Sequence, residues 1–215
     1  MSSDKKKKKL AGHLEIIHGP MYAGKTDELF RRLKRHHMAR RNVLLIKSKL
    51  DDRYSTDDSQ SASHSGKLFP AQAVNEINEA TTTGYDVIGV DEGQFMGPEL
   101  TRWCHHMASN CGKIVIVACL DTNFRMDPWE NVMALVCVAE VNVKLSAICC
   151  VCGKDAFFSR KITDSTKEVE VGGQDLYVPT CRTHHSTPLE NTQEYLRRVD
   201  SLQKLNRSFD TSSTK

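Results

Sequence analysis

The chain has no apolar stretch near the length of a membrane span, and its charged N-terminus runs into "AGHLEIIHGP" with no apolar signal core between them. Membrane insertion and secretion are therefore set aside, and the expected location is the cytoplasm. An excess of one charge is also missing: 30 Lys+Arg stand against 27 Asp+Glu, and five of the lysines are consecutive, Lys5 to Lys9. The remainder is close to neutral or slightly acidic, which argues against a nucleic-acid binder with a broad basic face. The lysine run reads as a solvated tail, with nuclear import or polyanion docking as the minority alternative. No internal repeat of solenoid type stands out. Eight cysteines in a chain expected in the cytosol do not suit a disulfide framework, so their spacing is read for metal or for core packing.

A length of 215 residues accommodates one α/β domain and a small appended module. Short β-branched or leucine-rich runs recur as "LEIIH", "NVLLIKS", "DVIGVDE", "KIVIVACL" and "VNVKLSAI", each read as a strand buried on both faces. Between them lie helical patterns in "TDELFRRLKRHHMARR", "AVNEINEA", "PELTRWCHHMA" and "ENVMALVCVAE". This alternation predicts a parallel sheet with helices on its faces. Long periodic segments stop near Ile148. The expected organisation is a basic tail over 1–12, an α/β domain over 13–148, a cysteine-bearing module over 149–188, and a C-terminal helix with a flexible tail over 189–215.

"GPMYAGKT" (Gly19, Pro20, Met21, Tyr22, Ala23, Gly24, Lys25, Thr26) fits G-x-x-x-x-G-K-[ST] between a predicted strand and a predicted helix. Such a turn points successive backbone N–H groups at phosphate oxygens, and the helix N-terminus adds partial positive charge. Lys25 would reach the outer phosphates and Thr26 would ligate Mg²⁺. A carboxylate at a neighbouring strand end completes the arrangement. Asp91 ends the run Val87 to Val90 and is the natural metal-side acid, with Glu92 beside it as a base toward an acceptor hydroxyl or water. Taken alone, a capping threonine and a turn-capping acid would explain one or two of these residues but not the set. An ATPase, a GTPase and a small-molecule kinase would share all of it.

Cys149-x-x-Cys152 and Cys181-x-x-His184 are two knuckles suited to tetrahedral Zn²⁺, with Cys150 and His185 as alternatives to their neighbours. Four protein ligands leave no open position, so such a zinc would be structural. Cys104, Cys111, Cys119 and Cys137 fall in helix or strand patterns and read as small core residues.

The ordered motifs "GPMYAGKT", "DDRYS", "VDEGQF", "LDTNF" and "KEVEVGG", together with the knuckles, resemble those of the cytosolic-type (type II) thymidine kinases from Leu14 to His184. The resemblance implies a RecA-like P-loop α/β domain with a zinc-binding lasso domain, transferring the γ-phosphoryl group of ATP to the 5′-hydroxyl of thymidine. By position it implies Glu92 as general base and Arg53 as the cation steadying the transferred group, with Asp51 nearby on the thymidine side. Met21, Phe95, Leu120, Phe124, Ser159 and Tyr177 would wall the thymidine pocket, with Val169 and Val171 contributed by the lasso. His184 stands where the family commonly has cysteine, and Trp129 where phenylalanine is common. The implied cofactors are Mg²⁺ with ATP and a structural Zn²⁺. The implied partners are ATP, thymidine and a homotetramer, with thymidine triphosphate as an inhibitor, deoxyuridine weakly discriminated, and neither membrane nor nucleic acid. Two rivals remain open: a nucleic-acid-stimulated ATPase with a zinc ribbon, and a non-catalytic nucleotide sensor.

Overall fold

The computed structural model describes residues 12–49, 60–62, 68–75, 77–163, 176–187 and 197. Asp51, Arg53, Val169, Val171 and the lysine run lie outside the described residues, as does the expected C-terminal helix except for Arg197, which is helical.

Six parallel strands form the main sheet in the order β5 (Gln72–Val74), β2 (Val43–Ser48), β6 (Val87–Asp91), β7 (Ile114–Cys119), β1 (His13–His18) and β8 (Val141–Lys144). All five residues of β6 are buried, which a strand achieves only when both its faces are covered. Helix α1 (Lys25–Met38) covers one face, packing Leu29, Phe30 and Leu33 against Ile17, Leu45, Val87, Ile116 and Ala118. Helices α2 (Leu100–Ser109) and α3 (Glu130–Val138) cover the other, with Leu100, Cys104, Met107, Val132 and Leu135 against Leu14, Ile16, Ile88, Val90, Val115 and Val117. Successive side chains alternate between faces, so Ile16 and Ile17, or Val115 and Ile116, serve opposite cores.

Parallel pairing sends the C-terminal ends of the strands to one edge: Ser48, Asp91, Cys119, His18 and Lys144. Open α/β sheets bind ligands at that edge. A hairpin of β3 (Gln60–Ala62) and β4 (Leu68–Pro70) precedes β5. After β8 come two further antiparallel pairs, β9 (Ala147–Ile148) with β10 (Asp155–Ala156) and β11 (Phe158–Lys161) with β12 (Tyr177–Thr180), followed by the short α4 (Arg182–His185).

Four sequence expectations are corrected. "AVNEINEA" is not a helix: Gln72–Val74 pairs in parallel with Ile46–Ser48, and the Asn78 side chain takes a hydrogen bond from Thr81 N, closing a turn before a single 3₁₀ turn at Ala80–Thr82. "VNVKLSAI" is two strands, because Leu145 turns away to donate its N–H to His18 O. Its first half is an edge strand with alternate residues exposed, not one buried on both faces. Cys104 and Cys119 are core residues, whereas Cys111 is half-buried and Cys137 exposed.

Candidate active site

β1 delivers the chain into the glycine turn at His18. Gly19 has φ 141°, and a Cβ there would lie 2.3 Å from Leu145 O, so the close approach of the chain leaving β8 requires glycine. The turn continues through Tyr22 at φ 65° and ends at Gly24, φ 78°, from which α1 starts with no side-chain cap. Its first N–H groups therefore lack the usual side-chain acceptor and are oriented for an anion. Lys25 is buried and bends back, its Nζ donating to Pro20 O at 2.6 Å. Burial pushes its ammonium below the ordinary lysine range, against the opposing pull of Glu92, Asp91 and Asp121.

Asp91 gathers three donors at the end of β6. Thr26 Oγ1 reaches its Oδ1 at 3.2 Å, Ser61 Oγ its Oδ2 at 3.1 Å, and the Glu92 N–H its Oδ1 at 3.1 Å. The two residues assigned to Mg²⁺ from sequence are thus in direct contact, between the loop and the strand. Glu92 adopts a left-handed backbone, φ 52° and ψ 45°, which a non-glycine residue takes only when its surroundings fix it. Here the surroundings are the turn Gly93–Phe95 and the buried Gln94, whose Nε2 donates to Glu92 Oε2 while its Oε1 accepts from Leu120 N at 2.9 Å.

Gln94, Ser61 and the pair His18–Asp121 were not singled out from sequence. His18 Nδ1 lies 3.2 Å from Asp121 Oδ2 and its Nε2 2.8 Å from Asn142 Oδ1; Lys144 Nζ reaches Asp121 Oδ2 at 2.8 Å. Burial would raise the Asp121 carboxyl, but hydrogen bonds from His18 and Lys144 bring it down to about 2. These residues share no motif spacing. "VDEGQF" holds Gln94 and "LDTNF" holds Asp121, but the first pointed to the acids and the second to its pocket residues Leu120 and Phe124.

The described residues among those expected in the pocket make the following contacts. Phe95 meets Trp129 edge-on at 6.1 Å and directly follows Gln94 in the turn Gly93–Phe95. Met21 N donates to the buried Ser159 Oγ at 2.9 Å, tying the glycine turn to β11. Phe124 O lies 3.0 Å from His185 Nε2, and Lys161 stands over the Phe124 ring at 5.1 Å. Lys161 pairs in register with the buried Tyr177 across β11 and β12.

Ligating atoms of Cys149, Cys152, Cys181 and His184 lie within 4.8 Å of one another. Cys149 Sγ to His184 Nδ1 is 3.6 Å, Cys152 Sγ to Cys181 Sγ 3.9 Å, and Cys181 Sγ to His184 Nδ1 3.3 Å. A tetrahedral zinc with bonds of about 2.3 Å to sulfur and about 2.0 Å to nitrogen has edges of about 3.5–3.8 Å, so the donor set fits. Burial would raise the Cys149 thiol, but backbone hydrogen bonds at Cys181, Cys152 and Val151, with His184, bring it down to about 6. The alternatives face elsewhere: His185 turns to Phe124 O and the Phe158 ring, and burial pushes the Cys150 thiol up to about 11.

A family model described as thymidine kinase matches residues 12–185. Thymidine kinase 1 of Dictyostelium discoideum is 41% identical over 178 residues, covering 80% of this chain and 77% of that relative. The thymidine kinase of Variola virus is 40% identical over 171 residues, covering 80% and 95%, and that of Yaba monkey tumor virus is 41% identical over 174, covering 80% and 93%. With the glycine turn, the paired acids and the cysteine cluster all inside the matched span, the chain belongs to the thymidine kinase family.

Proposed function

We propose that this chain phosphorylates thymidine, moving the γ-phosphoryl group of ATP to the 5′-hydroxyl to give thymidine monophosphate and ADP. Beside the family match, the observation that carries the reading is Glu92, held beside Asp91 at the strand edge next to the glycine turn. Glu92 accepts the 5′-hydroxyl proton as that oxygen bonds to the γ-phosphorus and the bond to the β–γ bridging oxygen breaks toward ADP. Backbone N–H groups from Gly19 to Thr26 and the Lys25 ammonium hold the phosphates, so that positioning supplies much of the acceleration. Thr26 and Asp91 would hold Mg²⁺, which when bound neutralises charge on the phosphate oxygens. Arg53 and Asp51 are assigned to the transferred group and the nucleoside, and Val169 and Val171 to the base.

Met21, Phe95, Leu120, Phe124, Ser159 and Tyr177 would enclose the pyrimidine. Deoxyuridine would also be accepted, since one methyl group discriminates by only about 1–3 kcal/mol. Cys149, Cys152, Cys181 and His184 would hold a structural zinc. A homotetramer acting in cytoplasmic nucleoside salvage completes the reading. Thymidine triphosphate, with its base in the pocket and its phosphates in the glycine turn, would then inhibit by competing with both substrates. Inhibition kinetics competitive with neither would rule out that placement.

The test is Glu92→Gln assayed against thymidine, deoxyuridine, deoxycytidine and purine nucleosides. Turnover of thymidine should fall about 10²–10⁴-fold with thymidine binding retained. Near-normal turnover would remove Glu92 from the role. Wild-type protein that makes no nucleoside monophosphate, yet hydrolyses ATP faster with added DNA or RNA, would replace the acceptor.

A further inference from the structure

Three side chains of metal-ligating type converge at the edge of the sheet opposite the glycine turn. Glu79 precedes the turn leading into β6, His106 lies in the last turn of α2, and Cys111 follows that helix just before β7. Their ligating atoms all fall within 4.8 Å of one another. Cys111 Sγ is 3.5 Å from His106 Nε2 and 4.0 Å from Glu79 Oε1, and His106 Nε2 is hydrogen-bonded to the same Glu79 oxygen.

Backbone contacts fix this convergence from both sides. Thr82 donates through N and Oγ1 to Glu79 O at 3.0 and 2.9 Å, while Asn110 N and Cys111 N both donate to His106 O, at 2.9 and 3.1 Å. Lys113 joins the two segments, its N donating to Met107 O and its Nζ to Thr82 O and Tyr85 O. The Cα positions of the three residues are therefore largely set before anything binds. Their side chains, with His106 and Glu79 44% and 64% exposed, can still adjust.

We propose that Glu79, His106 and Cys111 form a second Zn²⁺ site, with water in the fourth position, clipping the turn before β6 to the end of α2. One sulfur, one imidazole nitrogen and one carboxylate oxygen suit a borderline-soft ion; the thiolate disfavours Mg²⁺ and Ca²⁺. A tetrahedral ion requires a sulfur–nitrogen edge of about 3.5 Å, the separation Cys111 and His106 already have. On binding, Cys111 releases its thiol proton to solvent. The His106–Glu79 hydrogen bond gives way to two metal bonds: the Nε2 proton donated to Glu79 passes to solvent as Nδ1 takes one up, so the ligating imidazole is neutral. The site shares no residue with the four-ligand cluster. It also stands apart from the reaction: the length of β6, roughly 13 Å from Val87 to Asp91, separates the two ends of that strand.

The full chain, first given one equivalent of Zn²⁺ to fill the cysteine cluster, is titrated with Co²⁺ while the near-ultraviolet thiolate-to-cobalt band is recorded. Wild-type protein should bind one further equivalent and develop the band. Cys111→Ser should lack the band, and His106→Gln and Glu79→Gln should each bind at least about tenfold more weakly. Elemental analysis should give two zinc ions per wild-type chain and one in Cys111→Ser, with thymidine phosphorylation unchanged in all three variants. Absence of a second equivalent in wild type, or an unaltered band in Cys111→Ser, would overturn the site.

Discussion

Gln94 reaches Glu92 by a route that only the folded chain creates. Its Nε2 supplies the carboxylate with a donor, and its Oε1 is itself held by Leu120 N from the strand edge next door. Lys25, Thr26 and Asp91 could be singled out from the sequence because loop spacing and a strand end mark them locally, and Thr26 and Asp91 do meet in the fold. Gln94 was not, since its importance rests on a partner 26 residues away. His18 and Asp121, 103 residues apart, were hidden for the same reason. Gln94→Leu removes a hydrogen bond to a charged group, worth about 1.5–3 kcal/mol. If that bond is spent on orienting the base, kcat should drop about 10–100-fold with little change in thymidine KM. Losing a donor to the ionised form should also move the acid limb of the rate profile to higher pH. A variant that lost stability alone, with the acid limb in place, would make Gln94 a packing residue.

Elements were read well where burial made their pattern uniform. The central strands β6 and β7 are apolar along nearly all their length because helices cover both faces, and α1 shows its buried stripe at Leu29, Phe30 and Leu33. Reading failed at the sheet's margins. Val74 and Ile77, three residues apart, imitate a helical face, but Val74 is buried at the end of an edge strand and Ile77 packs on the core from a turn. A margin also sets the glycine turn: Leu145, leaving β8, donates to His18 O and brings its own carbonyl against Gly19. Gly19→Ala places a methyl group 2.3 Å from that oxygen, so the turn or the strand must shift. An overpacking cost of about 1–3 kcal/mol should appear as a lower Tm, with a raised KM for ATP because the displaced turn no longer aims its N–H groups together. Wild-type values for both would mean that Leu145 yields without disturbing the phosphate cradle.

At the scale of the whole molecule, the cysteine cluster backs the glycine turn. Tyr22 and Ala23 of the glycine turn pack with Ala147, Cys149, Ala156 and Cys181, and Met21 N is bonded to Ser159. This coupling was not legible from the knuckles, whose spacing speaks for zinc and is silent about what that segment leans on. Structural zinc contributes about 10–16 kcal/mol in small modules, far more than the few contacts that cluster could replace. Its removal should therefore reach beyond the strands β9 to β12. A zinc-selective chelator, with Mg²⁺ resupplied, should lower Tm, abolish phosphoryl transfer and weaken ATP binding, and added Zn²⁺ should restore all three. Cys181→Ser should reproduce the loss, whereas His106→Gln, which touches only the opposite edge of the sheet, should leave activity intact. If the metal-free chain bound ATP as tightly as the loaded one, the turn would hold its shape without its backing. Zinc would then serve the nucleoside side alone, through β11, β12 and the Phe124–His185 contact.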